Sequence, residues 1–469
     1  MSAAGRRMRC RSWWTLAAGV MLLNACAVGP DYRRPAFPTT DSYKETSGWK
    51  PTEPGDVLER GPWWNIYGDD DLTRLEARID ISNENVKAAV AAYDQSQALV
   101  AQARAGFWPT IAATVGAQRG AIGATPKTTS VTAGASGSWT LDVWGGIRRT
   151  VESDRDSAQA SAAALAAAKL SAQASLATDY FELRVQDQLQ RILDDIVEAE
   201  QLSLKITQSR YKFGVAAKAD VVTAQAQLLN SQAQQVNAGI ERALLEHAIA
   251  VLIGQQPSTF ALARAPLRSD VPTVPAGIPS TLLERRPDVA QAERQMAASN
   301  ASIGVATAAY FPTLSLSGSD EYSGGTFGHL LDVPNRVWSF GPQLAETLID
   351  GGLRSAQVAQ ARAAHEASVA NYRQTVLASF QQVEDQIVTL RVLESQAVIE
   401  DAAVAASKEA ERLTLNQYKA GTVPYSSVIT AQTTRLSSEE TALTVLSDRL
   451  QASIALIQAL GGGWSMARL

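Results

Sequence analysis

Residues 210–225 read RYKFGVAAKADVVTAQ, and 207 residues later the chain reads QYKAGTVPYSSVITAQ over residues 417–432. Each copy follows a very long run of helical period and precedes a shorter one. Each also carries a glycine, Gly214 or Gly421, where that period breaks. A break of this kind between two helical runs marks the tip of a helical hairpin. Extending the match without gaps pairs residues 211–254 with 418–461 at 12 identities in 44 positions, where shared composition alone gives about 4. The chain is therefore read as an internal duplication, and its function has to use two such tips.

At 469 residues the chain has the length of two or three ordinary domains. It is rich in Ala, Gln and Ser and only 6% aromatic, a composition that suits long helices packed through small side chains. Arg6, Arg7, Arg9 and Arg11 precede an apolar run at 13–23 that is too short to span a bilayer. The run ends in Leu23-Asn24-Ala25-Cys26, which resembles a bacterial lipobox, with Asn24 a mild departure. Residues 1–25 are thus expected to be a lipoprotein signal peptide and Cys26 the lipidated residue. An ordinary secretory signal ahead of a chance Cys is the competing reading. Removing 1–25 takes away four Arg and no acid, leaving 38 basic against 47 acidic residues and Cys26 as the one Cys. No internal disulfide is then possible, and no basic patch points to a nucleic-acid partner.

Residues 26–62 are Pro-rich and polar and read as an extended tether. A first structural repeat follows over 63–257. It opens with a short helical segment from Trp63 to about Ile81 and a helix capped by Ser82 or Asn83, which Trp108-Pro109 stops. Over 109–143 the period changes to 2. Ile111, Ala113, Val115 and Ala117, then Val131, Ala133, Ala135, Gly137, Trp139, Leu141 and Val143, alternate with small or polar residues. A soluble hairpin can show such alternation, but it returns over 312–349 with Leu314, Leu316, Trp338, Phe340 and Leu344. Two strand pairs of this kind suit transmembrane β-hairpins, with the polar stretches 119–130 and 320–336 as loops.

Gly145-Gly146 and Gly351-Gly352 mark strand-to-helix corners, and about 60 nearly Gly- and Pro-free residues follow each, enough for a helix of roughly 90 Å. Val185, Leu189, Ile192, Ile196 and Ala199 form a coiled-coil seam in the first. Leu443, Leu446, Leu450, Ser453, Ile457 and Leu460 form one in the return helix of the second half. A Pro-rich linker at 258–279 separates the repeats, and the second repeat covers 280–464 ahead of a tail at 465–469. Pro287 suits a helix's first turn and Asp288 its positive end.

Four membrane-competent strands cannot close a barrel, and an open sheet in lipid leaves backbone groups unpaired, so closure requires association. Two, three or four chains give 8, 12 or 16 strands, and 12 or more leave a lumen. The segments CAVGPDYRRP, WTLDVWGGIRR, RYKFGVAAKADVVTAQ, LLERRPDV and AAYFPTLSL, in this order, resemble the TolC-type outer membrane factor family, especially its NodT/OprM-like lipoproteins. The resemblance implies an α+β membrane protein. It would be a homotrimer with a 12-stranded transmembrane β-barrel, four strands per chain, continued by a long α-helical coiled-coil barrel in the periplasm. It implies an outer-membrane duct of a tripartite efflux system, lipid-anchored through Cys26. The duct would dock on a periplasmic adaptor protein and, through it, on an inner-membrane transporter, exporting drugs or other small toxic compounds. Type I protein secretion and metal efflux are alternative duties of the same outer part. Passive transport needs no catalytic site and no cofactor.

The residues agree with that expectation: His247, His329 and His365 lie in no metal spacing, and no phosphate loop or nucleophile motif occurs. By resemblance, the tips contact the adaptor through Tyr211, Lys212, Gly214, Val215 and Ala216 and through Tyr418, Lys419, Gly421, Thr422, Val423 and Pro424. Packing within the hairpins is the other role open to Tyr211 and Tyr418, and Lys212 and Lys419 can offset helix dipoles. Where close relatives carry an acidic ring inside the mouth, this chain has Ser427 and Thr430, aligned in the first copy with Asp220 and Thr223. The expected gate therefore rests on neutral side chains, with Asp220 secondary. A periplasmic adaptor also uses long hairpins, but two strand pairs and two hairpins fit it poorly, and a coiled-coil surface protein needs no strand pairs.

Overall fold

The computed structural model describes residues 27–35, 43–45, 62–121, 123, 127–274 and 284–465. The signal peptide, Cys26, linker residues 275–279 and tail residues 466–469 lie outside the described residues. Within them, a 3-10 turn at Trp63–Tyr67 leads to helices α1 (Asp70–Ser82) and α2 (Glu84–Ala105) and strands β1 (Thr110–Gly120) and β2 (Thr128–Thr140). Helices α3 (Gly146–Lys212), α4 (Lys218–Leu252) and α5 (Pro287–Ala308) follow, then strands β3 (Thr313–Gly324) and β4 (Arg336–Ala345) and helices α6 (Leu353–Ala420) and α7 (Tyr425–Ala459).

The duplication recurs element by element. Helices α2 and α5 have 22 residues each, α4 and α7 have 35 each, and α3 and α6 have 67 and 68. Matched contacts close each copy on itself. Asn83 Nδ2 donates to the carbonyl of Leu252 at 2.7 Å, and Arg286 Nη1 donates to that of Ala459 at 3.0 Å. Just beyond, Gly254 (φ +67°) and Gly461 (φ +93°) turn back so closely that an added Cβ would sit 2.2 Å from the Ser82 carbonyl oxygen or 2.1 Å from that of Arg285. Glycine fits there because it tolerates the left-handed backbone and has no Cβ. Asn83 also caps α2, accepting the Val86 N–H at 3.0 Å, and Asp69 caps α1.

The compact units cut across the repeats. One combines Ala91–Ala162 and Gln291–Gln374 with the N-terminal segment, and the other combines Pro38–Val90, Ala163–Ala290 and Thr375–Leu469. In the first, the strands form one antiparallel sheet in the order β1-β2-β3-β4. Its register aligns the alternation of all four strands. Ile111, Val115, Ala133, Leu314, Leu316, Phe340 and Leu344 share one face, and Thr114, Ser136, Ser315, Ser317, Ser319 and Gln343 share the other. A slip of one residue would exchange these faces.

Three sequence expectations are corrected here. The strands extend into the expected loops, so the connections shrink to 121–127 and 325–335, because ladder hydrogen bonds form independently of polar side chains. Strand β2 ends at Thr140, so Leu141 and Val143 fall outside it. The tether is partly docked. In the first unit the Val28 N–H donates to the Trp144 carbonyl at 3.0 Å, and Arg149 donates to the Val28 and Gly29 carbonyls. In the second unit the Tyr43 ring is buried, and the Lys44 N–H donates to Glu384 at 2.7 Å. These aromatic and backbone anchors are what a Pro-rich composition conceals.

The second unit holds the main apolar core, in which Trp63, Tyr67, Leu72, Ile79, Tyr180, Phe181, Ile249, Ile387, Leu450 and Ile457 pack together. Val185 and Ile196 of the first seam and Leu443, Leu450, Ser453 and Ile457 of the second are buried. The linker packs here too: Phe260, Leu262, Leu267 and Val271 lie against this core, and Arg184 and Arg242 hold the Ala263 and Leu262 carbonyls.

Candidate functional site

The two tips are the turns between α3 and α4 and between α6 and α7. Gly214 (φ +79°) and Gly421 (φ +82°) reverse the chain, and the Val215 and Thr422 N–H groups close on the Arg210 and Gln417 carbonyls at 2.8 and 3.0 Å. The turns have the same backbone and different surfaces. In the first, Tyr211, Phe213 and Val215 are exposed, Phe213 at 76%, beside exposed Lys212 and half-buried Ala216. In the second, Tyr418 is only 3% exposed and packs with Tyr425, Val428 and Ala224, ring centroids of the two tyrosines 5.2 Å apart. Its hydroxyl donates to Thr207 Oγ1 at 3.3 Å. Burial pushes the Tyr425 hydroxyl up to about 12. Lys419, Gly421, Thr422 and Pro424 are exposed and Val423 half-buried. Tyr418 therefore supports its turn from within, and a contact surface at this tip consists of its neighbours.

Arg210 joins the tips. Its Nη1 donates to the Tyr418 and Lys419 carbonyls, each at 2.8 Å, and its guanidinium lies 4.8 Å from the Tyr418 ring centroid. It thus places a positive charge on the C-terminal carbonyls of α6. Sequence reading missed Arg210 and Phe213. The available signal was the repeat itself, where their counterparts are Gln417 and Ala420.

The residues expected at the gate lie in the first turns of the helices that follow the tips. Asp220 and Ser427 are half-buried near the starts of α4 and α7, and Thr223 and Thr430 are exposed, with hydroxyls bonded to the Ala219 and Ser426 carbonyls. A buried polar set lies deeper. Gln432 Nε2 donates to Ser203 Oγ at 3.2 Å, Gln227 Nε2 to Glu200 Oε1 at 3.0 Å, and Arg435 lies between Glu411 and Glu439. Burial raises the Glu200 carboxyl, opposed by its hydrogen bonds from Ser231 and Gln227.

At the corners, Gly145 (φ +81°) precedes Gly146, the first residue of α3, and Gly351 and Gly352 (φ +63° and +92°) precede α6. Each corner is fastened by an Asp and an Arg. Asp142 accepts the Ile147 and Arg148 N–H groups and Arg148 Nε at 2.9–3.0 Å. Asp350 accepts the Gly352 and Arg354 N–H groups and Arg354 Nε. The Arg354 side chain, then these backbone donors, lower the Asp350 carboxyl to about 2.

A sheet that is apolar on one face, small and polar on the other, and open at both edges, in a chain that also carries two long helical hairpins, defines the subunit of a membrane channel. The comparisons identify which kind. The model of the outer membrane efflux protein family matches residues 77–255 and 278–462. The pyoverdine export outer membrane protein OpmQ of Pseudomonas aeruginosa is 30% identical, covering 97% of both chains. The toluene efflux pump outer membrane protein TtgC of Pseudomonas putida is 27% identical over 97% of this chain and 96% of that one. Among solved structures, the outer-membrane channel OprN superposes with a TM-score of 0.86 at 29% identity, covering 94% of this chain and 100% of that one. The open state of the MtrE outer membrane channel of Neisseria gonorrhoeae superposes at 0.83 with 25% identity over 94% and 99%. The chain belongs to the outer membrane efflux protein family. It is an outer-membrane efflux channel, and the relatives named here are channels and efflux components.

Proposed function

We propose that three copies of this chain close a 12-stranded outer-membrane barrel, anchored by lipid on Cys26 and continued in the periplasm by a 12-helix tunnel. One observation carries this reading: β1 and β4 are open edges of a sheet whose apolar face is bare, with Ile111, Val115, Trp338, Phe340 and Leu344 exposed. Pairing β4 of one copy with β1 of the next satisfies both edges and turns the apolar face to lipid. The helices offer matching material. Val222, Leu229, Val236, Ile240, Leu244 and Val251 form an exposed apolar row along α4, at spacings of 7 and 4.

The tips dock on a periplasmic adaptor that links the duct to an inner-membrane transporter. Tyr211, Val215 and Phe213 at the first tip, and Thr422, Val423 and Pro424 at the second, present the contact surface, held by Arg210 and Tyr418. Closure of the mouth rests on helix packing around Ser427, Thr430 and Thr223, with Asp220 the one acid. The cargo is a small organic compound, in keeping with relatives named for toluene, antibiotic and pyoverdine export. Planar-bilayer recording tests the duct and its gate together. The expected record is a passive, ohmic conductance with weak periplasmic-side block by polyvalent cations that disappears in Asp220→Ala. Strong block surviving that substitution would contradict the neutral gate, and a lack of conductance would contradict the duct.

A further inference from the structure

We propose that the cleft between the N-terminal segment, α2, α3 and α5 holds the headgroup of a phosphatidylethanolamine-type lipid, its phosphate on Arg104 and Arg155 and its ammonium on the cleft's carboxylates Asp31 and Asp156. This rests on the reading that the sheet lies in lipid.

The cleft has a volume of about 610 Å³, and seven of its ten lining residues are charged. Its position is next to the foot of the sheet. Arg104 lies four residues before Trp108, which is 76% exposed at the approach to β1. Arg148 lies three residues beyond the Gly145 corner, against which Ala27 packs so tightly that a Cβ on Gly145 would come within 2.7 Å of its Cα. Asp31 and Tyr32 form another wall of the cleft, five and six residues after Cys26. Exposed aromatic rings at strand ends are what a bilayer interface collects, so the cleft opens at headgroup depth.

The charges in the cleft nearly balance, which selects the ligand. Arg148 is committed to Asp142 at 3.0 Å and Arg294 to buried Glu293, with Asp156 3.7 Å away. Arg149, whose side chain is 5% exposed, spans Asp31 at 2.7 Å and Glu152 at 2.8 Å. Arg104 and Arg155 are exposed and make no ion pair among the described residues. In the same cleft, Asp31 keeps an 88% exposed side chain, and Asp156 has no cation closer than Arg294. An anionic headgroup would meet the guanidinium pair and then the acids. A zwitterion satisfies both, since guanidinium groups match phosphate oxygens and a primary ammonium donates to carboxylates. Burial raises the Asp156 carboxyl to about 6, with Glu152 and Glu293 raising it and Arg294 and Arg155 lowering it. The ammonium partner is therefore present above that pH and lost below it.

Native mass spectrometry of the detergent-purified complex, exchanged against 1,2-dioleoyl phosphatidylethanolamine, phosphatidylcholine or phosphatidylglycerol, tests the assignment. The wild-type complex should retain the ethanolamine lipid at least about tenfold more than the quaternary choline lipid, which cannot donate, and more than the glycerol lipid, which has no cation. The double variant Arg104→Gln/Arg155→Gln should lose that retention, whereas Lys205→Gln, on α3 like Arg155 but outside the cleft, should keep it. Asp156→Asn, or lowering the pH to 5, should erase the preference for ethanolamine over choline. Equal retention in the double variant, or tighter retention of the glycerol lipid, would overturn the proposal. The heat-resistant band of the same sample, run from the outer-membrane fraction, reports separately on whether the sheet is in lipid at all.

Discussion

At the scale of single residues, the most exposed dependence of the fold is on Gly254 and Gly461. Each combines a left-handed φ with a backbone carbonyl where a Cβ would be. Gly461→Ala therefore adds strain and overlap together, a loss of roughly 3–5 kcal/mol. Gly254→Ala should behave alike, and either should deplete the heat-resistant complex on unboiled gels, while Gly239→Ala, in open space within α4, should not. Glu76 makes the opposite prediction. It is 1% exposed, neither carboxylate oxygen has a hydrogen-bond partner among the described residues, and burial, with Asp80, raises its carboxyl to about 9. Because the folded group binds its proton more tightly than the unfolded one, the stability linked to it is full below about pH 4.5 and falls as pH rises toward 9. Holding that proton at pH 7 costs on the order of 3 kcal/mol. Glu76→Gln should accordingly raise the dissociation temperature at pH 8 and have little effect at pH 5. Arg210 carries the third residue-level prediction. Arg210→Ala frees the Tyr418 and Lys419 carbonyls, and the expected outcome is a larger or more frequently open conductance in bilayer recordings, with the amount of complex unchanged.

At the scale of elements, the sheet makes the sharpest statement, because four strands in one register assign every side chain to a face. Val115 and Thr114 are neighbours at the middle of β1 on opposite faces. Val115→Arg should cost roughly 2–4 kcal/mol by placing a charge in hydrocarbon, whereas Thr114→Arg, on the lumen side, should assemble normally and change conductance. The yield of heat-resistant complex from each variant decides this. These faces were legible in the sequence because a period of 2 is a local signal, and so were the tips, where helical period stops at Gly214 and Gly421. Strand ends were less legible. Asp320 and Tyr322 look like loop residues, yet they sit in a ladder opposite Trp338 and Arg336. The docked residues 27–35 and 43–45 were also hidden, because their partners, Trp144, Arg149 and Glu384, lie more than a hundred residues away.

At the scale of the whole molecule, the duplication gives this efflux channel subunit two tips, and in the proposed assembly each chain supplies two related staves while association supplies the rest. The two staves have diverged at their tips. One exposes Tyr211, Phe213 and Val215, and the other turns Tyr418 inward under Arg210. Sequence comparison of the copies located that asymmetry at Asp220 against Ser427. Phe213 against Ala420 is visible in the same comparison, but the inward Tyr418 emerged only from side-chain burial, since identical tyrosines occupy the two positions. In the proposed assembly, closure of the open sheet by copies of the same chain underlies the lipid face, the lumen and the duct alike. The mass of the complex extracted from the outer membrane, measured by native mass spectrometry, tests that most directly. Three chains per complex is the predicted result, and a stable particle of one, two or four chains would contradict it.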